Sequence, residues 1–227
     1  MDIIFFAALA AFIFYKLSKE LGKVDEDERK KIQEKLIKTR EEIQKVQEHI
    51  LAKAQEKIVG ASSTSSQNKS EEKILENLDE ATKQSLVAIL TSCKISAEFF
   101  LTGAKSAFEM VVKAFSLADL KMLKILLSEK IYQGFEGAIN QRKTEEKTLT
   151  TNLISIEKSE IISAKMLENN AIIVVKFVSK QINYISNKSG EIIEGKKEEI
   201  LELNDFWTFQ KDITSSNPNW LVVSTSN

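Results

Sequence analysis

The pattern of apolar residues changes its period near Thr148, and no other feature of the sequence constrains the fold as strongly. From residue 71 to this point, apolar residues recur every three or four positions, as they do on one face of an α-helix. Beyond it they alternate with polar residues or form β-branched runs, as they do in strands. Helices followed by sequential antiparallel strands predict an α+β domain, with helices covering one face of the sheet.

The strongest helical pattern begins at Ser96, and its apolar face is formed by Phe100, Ala104, Ala107, Phe108, Val111, Val112 and Phe115. Gly103 lies on or near this face, which predicts close packing against another helix. A short apolar helix is expected after Asp119, and Ser128 is the predicted N-cap of the helix that follows. Shorter helical stretches are expected before Ser96.

The strand half contains six strand candidates. They are residues 149–157, 161–168, 171–185, 191–203, 206–212 and 220–224. Asn169–Asn170 suits a tight hairpin turn because asparagine tolerates positive φ. Residues 186–190 and 217–219 are the other predicted turns. The strands are therefore expected to pair in sequence.

Residues 1–18 are predicted to be a membrane anchor, with the apolar side chains Ile3, Ile4, Phe5, Phe6, Leu9, Phe12, Ile13, Phe14 and Tyr15. Extended to residue 17, this helix would be roughly 25 Å long, slightly short of a ~30 Å hydrocarbon core. A cleaved signal peptide and a buried core helix are the alternatives. A signal peptide normally begins with basic residues and a core helix normally has a polar face, and this segment has neither. The basic residues that follow, beginning with Lys16 and Lys19, place the rest of the chain in the cytoplasm.

Residues 19–59 predict a charged helical stalk, and residues 60–70, GASSTSSQNKS, predict a flexible linker before a domain at residues 71–227. A short heptad pattern runs through the stalk, formed by Ile32, Leu36, Ile43, Val46 and Ile50. A solvated helix is the favoured interpretation of this pattern, and weak self-association through residues 32–50 is the alternative.

Composition argues against several classes of function. With 32 basic and 33 acidic residues, the chain lacks the basic surplus of a general nucleic-acid binder. With one cysteine and one histidine, the chain cannot form a multi-cysteine metal site, so no metal is predicted. It contains no phosphate-loop or dinucleotide-binding motif, so no cofactor is predicted. Acid–base chemistry would need Asp119 or Asp205 beside Tyr132 or Tyr184, for which capping and packing are the favoured interpretations. Cys93 has no predicted base and is interpreted as a small apolar filler.

Five separated stretches carry a family resemblance. They are Phe100–Arg142, Val175–Asn183, Gly190–Gly195 (GEIIEG), Phe206–Asp212 (FWTFQKD) and Asn217–Thr225 (NPNWLVVST). In order and spacing, over roughly residues 75–226, they resemble the Tim44-like domain family and look most like its membrane-anchored alphaproteobacterial members. Ala118–Asp119 stands where the family usually has Gly-Asp. The resemblance implies a nuclear-transport-factor-two-like (NTF2-like) fold with a large apolar pocket, and contact of the first helices with lipids of an inner membrane.

Two groups of site residues follow as expectations from this resemblance. Pocket-lining candidates are Phe108, Val112, Phe115, Tyr132, Phe135, Phe177, Tyr184, Trp207 and Phe209. Lipid-facing candidates are Lys94, Phe99, Lys105 and Lys113, for which a core face with solvated lysines is an alternative of at least equal weight.

The expected function is a non-enzymatic adaptor of a bacterial inner membrane that binds anionic lipid or a hydrophobic partner of the translocation machinery, and no nucleic acid. A small-molecule pocket enzyme of the isomerase or hydrolase type, or a ligand-binding module, on the same fold is the alternative. A self-assembling envelope protein that uses the stalk heptads is a third interpretation.

Overall fold

A computed structural model describes residues 73–226, and the predicted anchor, stalk and linker at residues 1–70 lie outside that range. After a helical turn at residues 73–76, the elements in chain order are α1 (Glu80–Cys93), α2 (Ala97–Leu117), α3 (Leu120–Leu126), α4 (Glu129–Thr144), β1 (Thr148–Leu167), β2 (Asn170–Ser186), β3 (Ile192–Gly195), β4 (Leu201–Asp212) and β5 (Leu221–Ser226). The predicted combination of helices followed by an antiparallel sheet is confirmed, and the sheet does not close into a barrel.

Polar side chains set the starts of the helices. The side chains of Asp79, Ser96 and Asp119 accept hydrogen bonds from backbone N–H groups three residues on, at 3.0–3.1 Å. Ser128 is the N-cap of α4, as predicted, although its side chain makes no capping bond. Asp119 is therefore a helix cap, which was the favoured interpretation of this acid.

The helix ends at Lys94 and Ala118 adopt the left-handed conformation, with φ of 55° and 56°. At the end of α2, the N–H of Asp119 bonds the carbonyl of Ala114 at 2.8 Å, and the N–H of Ala118 bonds that of Phe115. Helices commonly end in this way with glycine at the left-handed position, because a Cβ atom is strained there. Ala118 thus has the backbone conformation that glycine adopts most readily.

We expect Ala118→Gly to raise the free energy of unfolding by about 1 kcal/mol, because it relieves the left-handed strain. Chemical denaturation of residues 71–227 measures the change. Ala88→Gly is the matched control, since Ala88 is exposed in the interior of α1 and the same change there should lower stability by about 1 kcal/mol. A decrease with Ala118→Gly would contradict the strain argument.

The strand order is β1-β2-β4-β5, with β3 paired to β2. β1 is one strand of 20 residues where two were predicted, since bulges at Leu153/Ser155, Ile156/Lys158 and Ile161/Ser163 absorb the break in alternation. The predicted strand 191–203 is wrong in its middle, because residues 196–200 leave the sheet and Leu201 begins β4. The hairpin turn occupies Glu168–Asn169, one residue before the predicted position, with Glu168 at φ 54°.

The core lies between the helices and one face of the sheet. Along β2, every second residue from Ala171 to Asn183 is buried, and the residues between them are half-buried on the outer face. Arg142 ties α4 to α2 by donating to the carbonyl of Phe115 at 2.8 Å while its guanidinium lies over the Phe115 ring. The predicted close packing at Gly103 is not found, because a Cβ built there meets no atom within 4 Å.

Candidate functional site

Four of the nine pocket candidates form a packed aromatic cluster. The ring centroids of Phe108 and Phe177 lie 4.6 Å apart, and those of Phe108 and Trp207 lie 4.8 Å apart. Phe209 joins them at 6.5 Å from Phe177, and all four side chains are at least 96 % buried. Rings in contact at these distances leave no room for a ligand between them. In this structure these residues form the centre of the hydrophobic core.

The other aromatic candidates lie outside this cluster, and Tyr132 is itself buried in the core. Phe115 and Phe135 make an edge-to-face pair at 5.0 Å, and the hydroxyl of Tyr132 donates to the carboxylate of Glu136 at 2.8 Å. Burial, reinforced by this bond to Glu136, raises the pKa of Tyr132 to about 12. Tyr184 lies on the outer face, because it is seven residues from Phe177 and an odd spacing along a strand reverses the side.

A groove of about 520 Å³ lies between α2 and β1. We call it the α2–β1 groove; its lining residues are Glu109, Val112, Lys113, Ser116 and Leu117 of α2 and residues 151–156 of β1. Val112 is the one pocket candidate that lines it, and Lys113 comes from the lipid-facing set. Leu117 and Ile154 are 69 % and 46 % exposed, so apolar surface faces solvent here.

A buried polar row continues the inner face of β2 where its apolar residues stop. Gln181 donates to Ser179 at 2.8 Å, and Asn183 donates to Gln181 at 3.4 Å. The Oδ1 atom of Asn183 is buried without a hydrogen-bond partner. Sequence reasoning missed this row, although the alternation that buries Val175 and Phe177 also buries these three residues.

Asp205 is half-buried on the same inner face, opposite Phe177 in the register of β2 and β4. Its burial raises its pKa to about 6. Neither tyrosine named with it lies at hydrogen-bonding distance from it, since the Tyr132 hydroxyl bonds Glu136 and Tyr184 is on the other face. Cys93 is half-buried, and burial raises the pKa of its thiol. Among residues 73–226, no three side chains of His, Cys, Asp or Glu are grouped to hold a metal.

The lipid-facing candidates come from α2 and the corner before it. Lys94, Lys105 and Lys113 are exposed, and Phe99 is half-buried without packing against the core. Across residues 73–226, no single helix is long and apolar enough to cross a membrane, whereas α1 and α2 together meet the length and composition criterion as a pair bent by 84°.

The family model of the Tim44-like domain matches residues 92–227, which is more than half of the chain. The chain belongs to the Tim44-like domain family. Among curated proteins, the chain is 26% identical over 109 residues to a probable mitochondrial import inner membrane translocase subunit, tin-44, of Caenorhabditis elegans. It is 23% identical over 108 residues to the human mitochondrial import inner membrane translocase subunit TIM44.

Each of these matches covers 48% of this chain and about a quarter of the relative, 26% and 24% respectively. Among solved structures, the intermembrane-space region of the chloroplast protein ARC6 superposes with a TM-score of 0.41 at 12% identity, over 56% of this Tim44-like chain and 94% of that one. This chain therefore spans only about a quarter of the length of each of these two curated relatives.

Proposed function

We propose that the chain is a non-enzymatic, membrane-anchored adaptor in protein translocation, and that its Tim44-like domain docks on anionic lipid at the corner between α1 and α2. The family supports the translocation role, because curated relatives that share the domain are named as import translocase subunits. We place it at a bacterial inner membrane, with most of the chain cytoplasmic, on the basis of the predicted anchor in residues 1–18.

The observation that carries the docking proposal is the position of Phe99. It is half-buried but does not pack against the core, and the exposed Lys94 and Lys105 precede and follow it. An aromatic ring at the start of α2 suits the headgroup region, and each exposed lysine that reaches this region gains about 1 kcal/mol from anionic lipid. An anchor would hold this weak surface near the bilayer and so raise its effective concentration.

Co-sedimentation of residues 71–227 with vesicles tests the docking surface. We expect binding to cardiolipin-containing vesicles that weakens at high salt, and little binding to phosphatidylcholine. The double change Lys94→Glu and Lys105→Glu should weaken binding about tenfold or more, since it reverses two charges at the surface. Lys196→Glu with Lys197→Glu is the control, because it makes the same charge change in the exposed segment after β3. Equal losses in both pairs would refute docking at the corner.

A further inference from the structure

The edge of β1 is protected at its start and open in the α2–β1 groove. β1 ends the strand order, so the backbone groups that face away from β2 have no neighbouring strand. The hydroxyl of Ser116 donates to the carbonyl of Leu149 at 3.2 Å and accepts the N–H of Thr151 at 3.0 Å. One side chain of α2 thus satisfies two outward-facing groups of this edge.

Backbone groups alternate in direction along a strand, so every second residue after Thr151 also faces the groove. Because the N–H of Thr151 points away from β2, the backbone groups of Leu153 point the same way. Ile156 pairs with Ser179, in phase with the pairing of Thr151 to Asn183, so its backbone groups also point outward. In the described part of the chain, no side chain bonds these groups as Ser116 bonds those of Leu149 and Thr151.

The side chains around this open edge combine an apolar floor with unpaired charges. Val112, Leu153 and Ile156 are half-buried against the core, and Ile154 projects at the bulge. Glu109 and Lys113 on the rim form no ion pair with any described residue. A partner with an acid facing the lysine and a base facing the glutamate would complement both charges.

We propose that the α2–β1 groove binds an extended peptide segment of a partner protein, which adds to the sheet as a strand beside residues 151–156. Open backbone donors and acceptors favour a peptide over a lipid chain, because hydrocarbon cannot satisfy them. Six strand residues span roughly 20 Å, which matches a peptide of five to seven residues with apolar side chains on alternate positions. This site goes beyond lipid docking and does not depend on it.

The test uses the full-length chain in phosphatidylcholine nanodiscs, without anionic lipid, so its outcome is separable from that of the docking experiment. The probe is a fluorescein-labelled peptide of eight residues, in which valine alternates with threonine and one lysine and one glutamate are included. Its control carries N-methyl groups on alternate residues, which keep the apolar side chains and remove the main-chain donors. Anisotropy should show that the unmethylated peptide binds about tenfold or more tightly.

Ile154→Lys should weaken the peptide about tenfold or more, because it puts a charge on the apolar side of the groove. Ile162→Lys is the matched control, since Ile162 is 40 % exposed at another bulge of β1 and does not line the groove. Leu117→Glu is the second test variant, at a site that is exposed enough to leave folding intact. Circular dichroism of each variant checks the fold.

Hydrogen exchange read by mass spectrometry locates the peptide. In the free protein the amide of Thr151 should exchange slowly, because Ser116 bonds it, and the amides of Leu153 and Ile156 should exchange fast. Bound peptide should slow the hydrogen exchange of these two amides. Binding that leaves them fast, equal binding of the methylated control, or equal loss in the Ile154 and Ile162 variants would overturn the proposal, as would no binding of the probe at millimolar concentration.

Discussion

Phe177→Ala should lower the free energy of unfolding of residues 71–227 by about 3–5 kcal/mol, because it would leave a cavity at the centre of the aromatic cluster. The Phe177 side chain has no exposed surface and contacts the rings of Phe108, Trp207 and Phe209. Urea denaturation followed by tryptophan fluorescence measures the change, since Trp207 is a member of the cluster.

Phe206→Ala is the matched control for this experiment. Phe206 is half-buried on the outer face, where Lys176 lies over its ring at 5.8 Å, and its loss should cost about 1 kcal/mol. The comparison also decides between the core and pocket interpretations of Phe177. If Phe177 lined an open pocket, its replacement by alanine would lower the free energy of unfolding little more than Phe206→Ala does. Similar losses in the two variants would therefore support the pocket interpretation of Phe177.

Local sequence signals predicted the helical half well. The capping positions of Ser96 and Asp119 could be read from residue type, because their capping bonds join atoms within three residues along the chain, and Ser128 is an N-cap by position without such a bond. The continuity of β1 could not be read in this way. Its bulges are set by pairing with β2, and the charged residues from Glu157 to Glu160 interrupt the alternation by which a strand is predicted.

The sequence indicated which residue types would belong to the candidate site, but it did not indicate how those residues are arranged in space. Phe108, Phe177 and Trp207 were expected to line a pocket, but whether these rings enclose space or pack together depends on distances that residue spacing does not give. The side of the sheet on which Tyr184 lies could have been predicted, because residues separated by an odd number along β2 point to opposite faces and Tyr184 is seven residues from Phe177. The α2–β1 groove joins residues about 40 positions apart, and no pattern within either segment predicted it.

Asp205 was a sequence candidate for acid–base chemistry, and its position in the structure predicts how its ionisation affects the stability of the fold. Its carboxylate is half-buried on the inner face of β4, where burial raises its pKa from 3.8 to about 6. Between these two pH values the folded protein holds a proton that the unfolded chain has released. The contribution of Asp205 to stability is therefore greatest below about pH 4, and it is lost as pH rises through 6.

We expect Asp205→Asn to be more stable than the parent protein at pH 7–8, by at most about 3 kcal/mol, and equal to it near pH 4. The comparison must be between variants, because acids with lowered pKa, such as Glu157 beside Ser155 and Lys180, lose stability as pH falls. Asp212→Asn is the control on the same strand. Hydrogen bonds from Thr214 lower the pKa of Asp212, so removing its charge should destabilise the protein at neutral pH.

Urea denaturation of residues 71–227 at several pH values, for the parent and both variants, measures these differences. Two opposite, pH-dependent shifts from two aspartates seven residues apart on β4 would show that burial dominates at Asp205 and hydrogen bonding at Asp212. A loss of stability with Asp205→Asn at pH 7 would mean that the ionised carboxylate makes a favourable interaction in the folded protein.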